Sequence, residues 1–135
     1  MTFLPRDDVE FLSSKALAYE LKDVDGQRGI VLPNLSFEGN LYCTNEQGQL
    51  VRCVSCDVLI RIPSGYATTR LDSFYTSAVL RRADNSFPNC ATGVETHFGR
   101  PWQFWSRHLD EKDWRPDIDG LHTYLNYVLS ELRRA

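Results

Sequence analysis

The chain opens with a helical pattern of apolar positions and then switches to the shorter period of strands. Pro5-Arg6-Asp7-Asp8 starts a helix with two acids that complement its dipole, and Val9, Phe11, Leu12 and Leu17 follow near helical spacing. Tyr19 to Val24 and Gly29 to Phe37 read as two strands around Asp25-Gly26, a dipeptide suited to a tight hairpin turn. Glu38 to Gln49 is polar and glycine-bearing, which predicts a connection. Leu50 to Ile62 is the longest strand candidate. Its Val58-Leu59-Ile60 run is apolar at consecutive positions, which predicts a central strand covered on both faces. Pro63-Ser64-Gly65-Tyr66 breaks that strand, and a further short strand is expected from Ser77 to Arg82, ending at Ala83-Asp84-Asn85.

From Phe87 to Asp113 the periodicity is weak and an irregular segment is expected. Excursions of that length in a compact domain are functional or disordered, and the tryptophans and phenylalanines here argue against disorder. Ile118, Leu121, Tyr124, Leu125, Val128, Leu129 and Leu132 then mark one face of a terminal helix, with Arg133 and Arg134 at its end. Helix, antiparallel meander, aromatic loop and helix imply a single α+β domain over residues 1–135, with the helices packed on one sheet.

Composition narrows the function without naming it. The 135 residues suffice for a hydrophobic core without disulfide staples. A net charge of -3, from 15 basic and 18 acidic residues, disfavours nucleic acid as a partner, because binding there needs a basic face. No apolar run approaches the roughly 20 residues that span a bilayer, so no membrane partner is expected. The start, M-T-F-L-P-R-D-D, lacks the basic-then-apolar order of an export signal, and a cytoplasmic location is expected. Without an export signal, Cys43, Cys53, Cys56 and Cys90 are expected to be reduced. Cys53 and Cys56 have the spacing of half a zinc site. On a strand, however, such a pair points to opposite faces, and no glycine turn is present. Inert, part-buried cysteines are therefore favoured over a metal site or a redox pair, and no metal or other cofactor is expected.

Several short motifs, in their order, carry a family resemblance. Val58-Leu59-Ile60-Arg61-Ile62-Pro63-Ser64-Gly65-Tyr66 resembles the third strand and following turn of ubiquitin-conjugating enzymes. Phe87-Pro88-Asn89 is similar to their His-Pro-Asn tripeptide with its first residue changed, and Asp113-Trp114-Arg115-Pro116 to their tryptophan-proline step. Gly99 to His108, read G-R-P-W-Q-F-W-S-R-H, together with W-R-P-D-I-D-G-L, resembles more closely the prokaryotic family E of that superfamily, over most of residues 3–133. The resemblance implies the fold of those enzymes: an N-terminal helix, a four-stranded antiparallel meander, a long active-site loop and a C-terminal helix. It also implies a bacterial carrier that takes a ubiquitin-like modifier from an activating enzyme as an ester and passes it to an amine of a target protein.

Such a carrier needs a nucleophile, a donor to the tetrahedral oxyanion and a means of deprotonating the acceptor. The superfamily's cysteine stands roughly ten residues before its tryptophan, where a nucleophile able to form the covalent intermediate is required. Counting back from Trp114 reaches Phe104, with Trp105 and Ser106 just beyond, and Ser106 is the only hydroxyl or thiol in that window. An oxyester on Ser106 is thus the favoured reading, although the same residue would also serve as a turn or cap serine. A serine needs a base. His108 would project to the same side of an extended segment, and His97 stands earlier in the loop.

Cys90 is the rival, a better nucleophile that stands 24 residues before Trp114 and would carry a thioester. Asn89 is the candidate oxyanion donor. Arg100 and Arg107 are candidates for binding the modifier's tail, and Asp110, Glu111 and Asp113 for orienting an acceptor lysine. His122 and the three tryptophans read as packing residues. The alternative from another class is a non-catalytic module of the same fold that docks the modifier or the activating enzyme.

Overall fold

The structure is a computed structural model that describes residues 2–135. Helix α1, Arg6–Ser14, is followed by the hairpin β1, Glu20–Val24, and β2, Gln27–Ser36. Asp25 and Gly26 turn it with φ of 51° and 80°, the positive values that a tight hairpin turn demands. Strands β3, Tyr42–Thr44, and β4, Leu50–Arg52, form a small sheet of their own. Then come β5, Ser55–Ile62, β6, Phe74–Thr76, β7, Gly93–His97, and β8, Arg100–Trp105. A 3-10 turn at Glu111–Asp113 precedes α2, Leu121–Arg134. The main sheet runs β1-β2-β5-β6-β8-β7 and every neighbouring pair is antiparallel.

The expected α+β class holds, but the sheet differs from a four-stranded meander in three ways. Leu50 to Ile62 is not one strand: the backbone leaves the sheet at Cys53 and Val54, where Cys53 N–H donates to the Leu41 carbonyl (2.9 Å) and Phe37 N–H to the Val54 carbonyl (3.0 Å). The strand expected at Ser77 to Arg82 lies earlier, at β6. Beyond it the backbone N–H and C=O of Leu80 are bonded by the Gln103 side chain at 2.8 and 3.0 Å, so an amide stands in for a neighbouring strand. The segment expected to be irregular holds the β7–β8 hairpin, turned by Phe98 and Gly99 at φ of 53° and 79°. Its polar edge strand and a phenylalanine at the turn hide it from pattern reading.

Strand alternation sorts the core into two layers. Ile30 and Leu32 of β2, Val58, Ile60 and Ile62 of β5, Phe74 of β6 and Trp105 of β8 face the helices and meet Leu12, Leu121, Tyr124, Leu125, Val128 and Leu132. Val31, Leu59, Tyr75 and Trp102 point the other way, with Phe98 and Phe104 packed against them. Val58, Leu59 and Ile60 are all buried, as expected of a central strand.

One buried carboxylate fixes where α2 begins. Asp8 of α1 accepts from the backbone N–H of Leu121 (3.0 Å) and from the Tyr66 hydroxyl (2.6 Å). It supplies from another helix the cap that Gly120 has no side chain to give. A Cβ at Gly120 would lie 2.6 Å from Asp8 Oδ1, so the glycine makes room for the contact. Burial, and then Asp8, push the Tyr66 phenol well above its ordinary range. Ile118, expected on the helix face, precedes this cap and is exposed.

Candidate functional site

The register of β6 on β8 pairs Phe74 with Trp105, and one further bond, Ser73 N–H to the Arg107 carbonyl at 3.1 Å, extends the pairing past the strand ends. That extension carries Asp72 to the segment that follows β8. There, His108 Nδ1 lies 2.7 Å from Asp72 Oδ1, and His108 Nε2 lies 3.1 Å from Ser106 Oγ. A carboxylate can only accept, so in the neutral ring Nδ1 carries the proton and Nε2 accepts from the Ser106 hydroxyl. Hydroxyl, imidazole and carboxylate thus form one relay of the kind that activates serine nucleophiles. His108 lies within reach of Ser106, on the side its spacing predicts. Asp72 was not legible, because it stands 36 residues away and meets the imidazole only through the β6–β8 register.

The surroundings hold this relay in place. Arg70 reaches Glu111 Oε1 (2.7 Å) and the second oxygen of Asp72 (3.7 Å). Arg107 is committed to Glu131 of α2 (3.1 Å) and to the Asn89 carbonyl (2.7 Å), with its guanidinium 5.2 Å from the Trp105 ring centre. Trp105 stacks on Phe74, centroids 5.3 Å apart, and donates its indole N–H to Thr76 Oγ1 (3.0 Å). Tyr124, on α2, keeps a buried hydroxyl with no protein partner; burial, followed by the charge of Asp72, raises its pKa. Beside Asp72 opens a groove of about 500 Å³ that also presents Arg28, Arg61 and Arg70.

The other sequence candidates separate into those near Ser106 and those elsewhere. Cys90 is near: its carbonyl accepts from the Ser106 N–H at 2.9 Å, and its thiol belongs to an exposed residue. Asn89 adjoins it and is exposed, with its carbonyl on Arg107. His97 is bonded to Glu95 (2.9 Å) and packs edge-on against Tyr75, which faces the layer away from the helices. Arg100 pairs with Asp57 (3.2 Å) and lies over Trp102. Asp110 caps the 3-10 turn through Lys112 N–H (3.1 Å). Trp114 is buried and donates to the Ala67 carbonyl (3.0 Å), and His122 meets Phe11 edge-on.

Cys53 and Cys56 do not point to opposite faces. Cys53 lies off the strand, so both enter the helix-side core, with Cys43 packed against it. Burial, and then Cys43, push the Cys53 thiol up to about 11, and burial pushes Cys56 up to about 12. Among the described residues no group of three or more His, Cys, Asp or Glu side chains could hold a metal ion, and no helix is long and apolar enough to cross a membrane.

No curated protein and no solved structure gives a significant match to the chain. The model of one family, described as prokaryotic E2 family E, matches residues 4–135. That range takes in both helices, both sheets and the relay, and E2 denotes the conjugating-enzyme type, whose general partners are an activating enzyme and a modifier. With the match extending over nearly its whole length, the chain belongs to prokaryotic E2 family E.

Proposed function

We propose that this protein is a ubiquitin-like modifier carrier that holds its cargo as an oxyester on Ser106. The observation that supports this reading is the relay of Ser106, His108 and Asp72. During charging, Ser106 Oγ attacks the activated carbonyl of the modifier while its proton passes to His108 Nε2. Asp72 holds the ring in the required tautomer and stabilises the imidazolium that forms. In transfer, a target amine attacks the ester carbonyl. His108 takes the amine proton and returns it to the departing Ser106 oxygen. Asn89 supplies its side-chain amide to the oxyanion in both steps. An oxyester is less reactive toward amines than a thioester, so the carrier relies on base catalysis and on positioning the acceptor.

The exposure of Cys90 and its backbone bond to Ser106 favour one rival, a thioester on that thiol. Incubation with the cognate activating enzyme, modifier and ATP, followed by separate treatment with reductant and with hydroxylamine, distinguishes the two. The expected adduct survives reductant, falls to hydroxylamine and is absent from Ser106→Ala. An adduct lost to reductant and absent from Cys90→Ala overturns the serine assignment. Binding of the modifier with no adduct of either kind identifies a docking module.

A further inference from the structure

The relay at Ser106 is open to water as well as to a target amine. Among the described residues it sits at the surface: the His108 side chain is 56% exposed and that of Asp72 38%. A base that takes the proton of an attacking amine at Nε2 can also take that of a water molecule in the same position. We propose that the protein is also a serine esterase, which hydrolyses activated acyl esters and discharges its own acyl-Ser106 ester to water. For the modifier ester, this inference rests on the carrier reading above; for small esters it stands on the relay alone.

The chemistry balances with water as the only co-reactant. Ser106 Oγ attacks the ester carbonyl, and its proton moves to His108 Nε2. The tetrahedral intermediate expels the alcohol, which leaves with the proton from Nε2, so that one C–O bond forms and one breaks. Water then attacks the acyl-Ser106 carbonyl as Nε2 accepts its proton. Collapse releases the carboxylic acid, and Ser106 recovers its proton from the imidazolium. Asp72 faces Nδ1 throughout and remains ionised. The two halves are mirror images, which is why a relay competent to charge the serine is competent to discharge it.

The test uses the full chain with p-nitrophenyl acetate. Release of nitrophenol should continue past one equivalent, with acetyl-Ser106 found by mass mapping after an acid quench. General-base assistance contributes about 100-fold or more, so His108→Gln and Ser106→Ala should each fall by at least that factor, Asp72→Asn should fall clearly, and His122→Gln should be unaffected. Retention of the wild-type thermal transition by each variant separates loss of chemistry from loss of fold, and the acetyl-Ser106 map needs no variant. Turnover that persists in Ser106→Ala, or an acetyl group found on Cys90 alone, overturns the proposal. One equivalent of release without further turnover also overturns it, yet leaves the carrier reading intact. A modifier adduct that never forms, beside normal ester turnover, removes the carrier reading and leaves the esterase.

Discussion

Replacing Gln103 by alanine tests how the fold holds the backbone on which Ser106 and Cys90 meet. The Gln103 side chain is buried, and its carboxamide replaces a missing strand. Its oxygen accepts from Leu80 N–H (2.8 Å) and the Trp105 indole (3.2 Å), and its nitrogen donates to the carbonyls of Leu80 (3.0 Å) and Ala91 (2.8 Å). Alanine would leave Leu80 N–H, Leu80 C=O and Ala91 C=O without partners at residues that are fully buried. Each orphaned group costs about 1–3 kcal/mol. Water entering the polar cavity would recover part of that, so a net loss of about 3–4 kcal/mol is expected. This is a large share of the roughly 5–15 kcal/mol that a domain has, and corresponds to a fall in Tm of about 10 °C or more. Urea melts followed by tryptophan fluorescence would measure it.

Gln103→Glu sharpens the test because it keeps the shape. An ionised carboxylate has no donor for the two carbonyls, so the folded state holds the acid protonated and raises its pKa above the ordinary value of about 4.3. The variant should therefore approach wild-type stability below about pH 4 and lose it progressively as the pH rises, since the unfolded chain then binds fewer protons than the folded one. A loss below about 1 kcal/mol in Gln103→Ala, or a Gln103→Glu deficit independent of pH, would refute the strand-replacement reasoning.

Two further substitutions probe the N-terminal end of α2. Asp8→Ala removes the cap from Leu121 and the partner of Tyr66, and should cost about 2–3 kcal/mol in a denaturant melt; Asp8→Asn, which keeps an acceptor, should cost less. Asp119 is buried and accepts from Arg115 N–H (2.7 Å), the Arg115 guanidinium (3.0 Å) and Thr123 (2.9 Å), chiefly the guanidinium holding its carboxyl well below the usual range. A depressed folded pKa means stability present above the unfolded value and lost as the pH falls. Asp119→Asn should therefore lose about 1–2 kcal/mol at neutral pH, and the gap to wild type should close on acidification below about pH 4, as read from melts across that range.

Local chemistry was legible wherever neighbours in sequence are neighbours in space. Asp25-Gly26 gives its turn by backbone preference, Val58-Leu59-Ile60 shows burial on both faces, and Ser106 and His108 lie two residues apart and within hydrogen-bond reach. Contacts closed over long separations were not. Asp72 joins His108 through pairing between β6 and β8, and Asp8 reaches Leu121 across 113 positions, with no local pattern to announce either. The β7–β8 hairpin escaped for another reason: Phe98 occupies a turn position with positive φ where asparagine or glycine is the usual signal. Alternation misplaces Cys53 and Cys56 because the strand breaks between β4 and β5, where no proline or glycine marks the place.

The bond from Ser106 N–H to the Cys90 carbonyl closes residues 91–105 into a loop with its ends pinned together. Lengthening a pinned loop costs little, about 0.6 kcal/mol for each doubling. The stretch from Ser106 to Trp114, by contrast, is fastened at Arg107, His108 and Trp114 and has no such slack. The chain thus carries two rulers of different stiffness. Residues inserted at the Phe98-Gly99 turn would widen the gap between thiol and hydroxyl in sequence while the two remain side by side, with the β6–β8 pairing untouched. Distance counted back from the tryptophan therefore stays informative, and distance counted forward from the proline-asparagine turn does not.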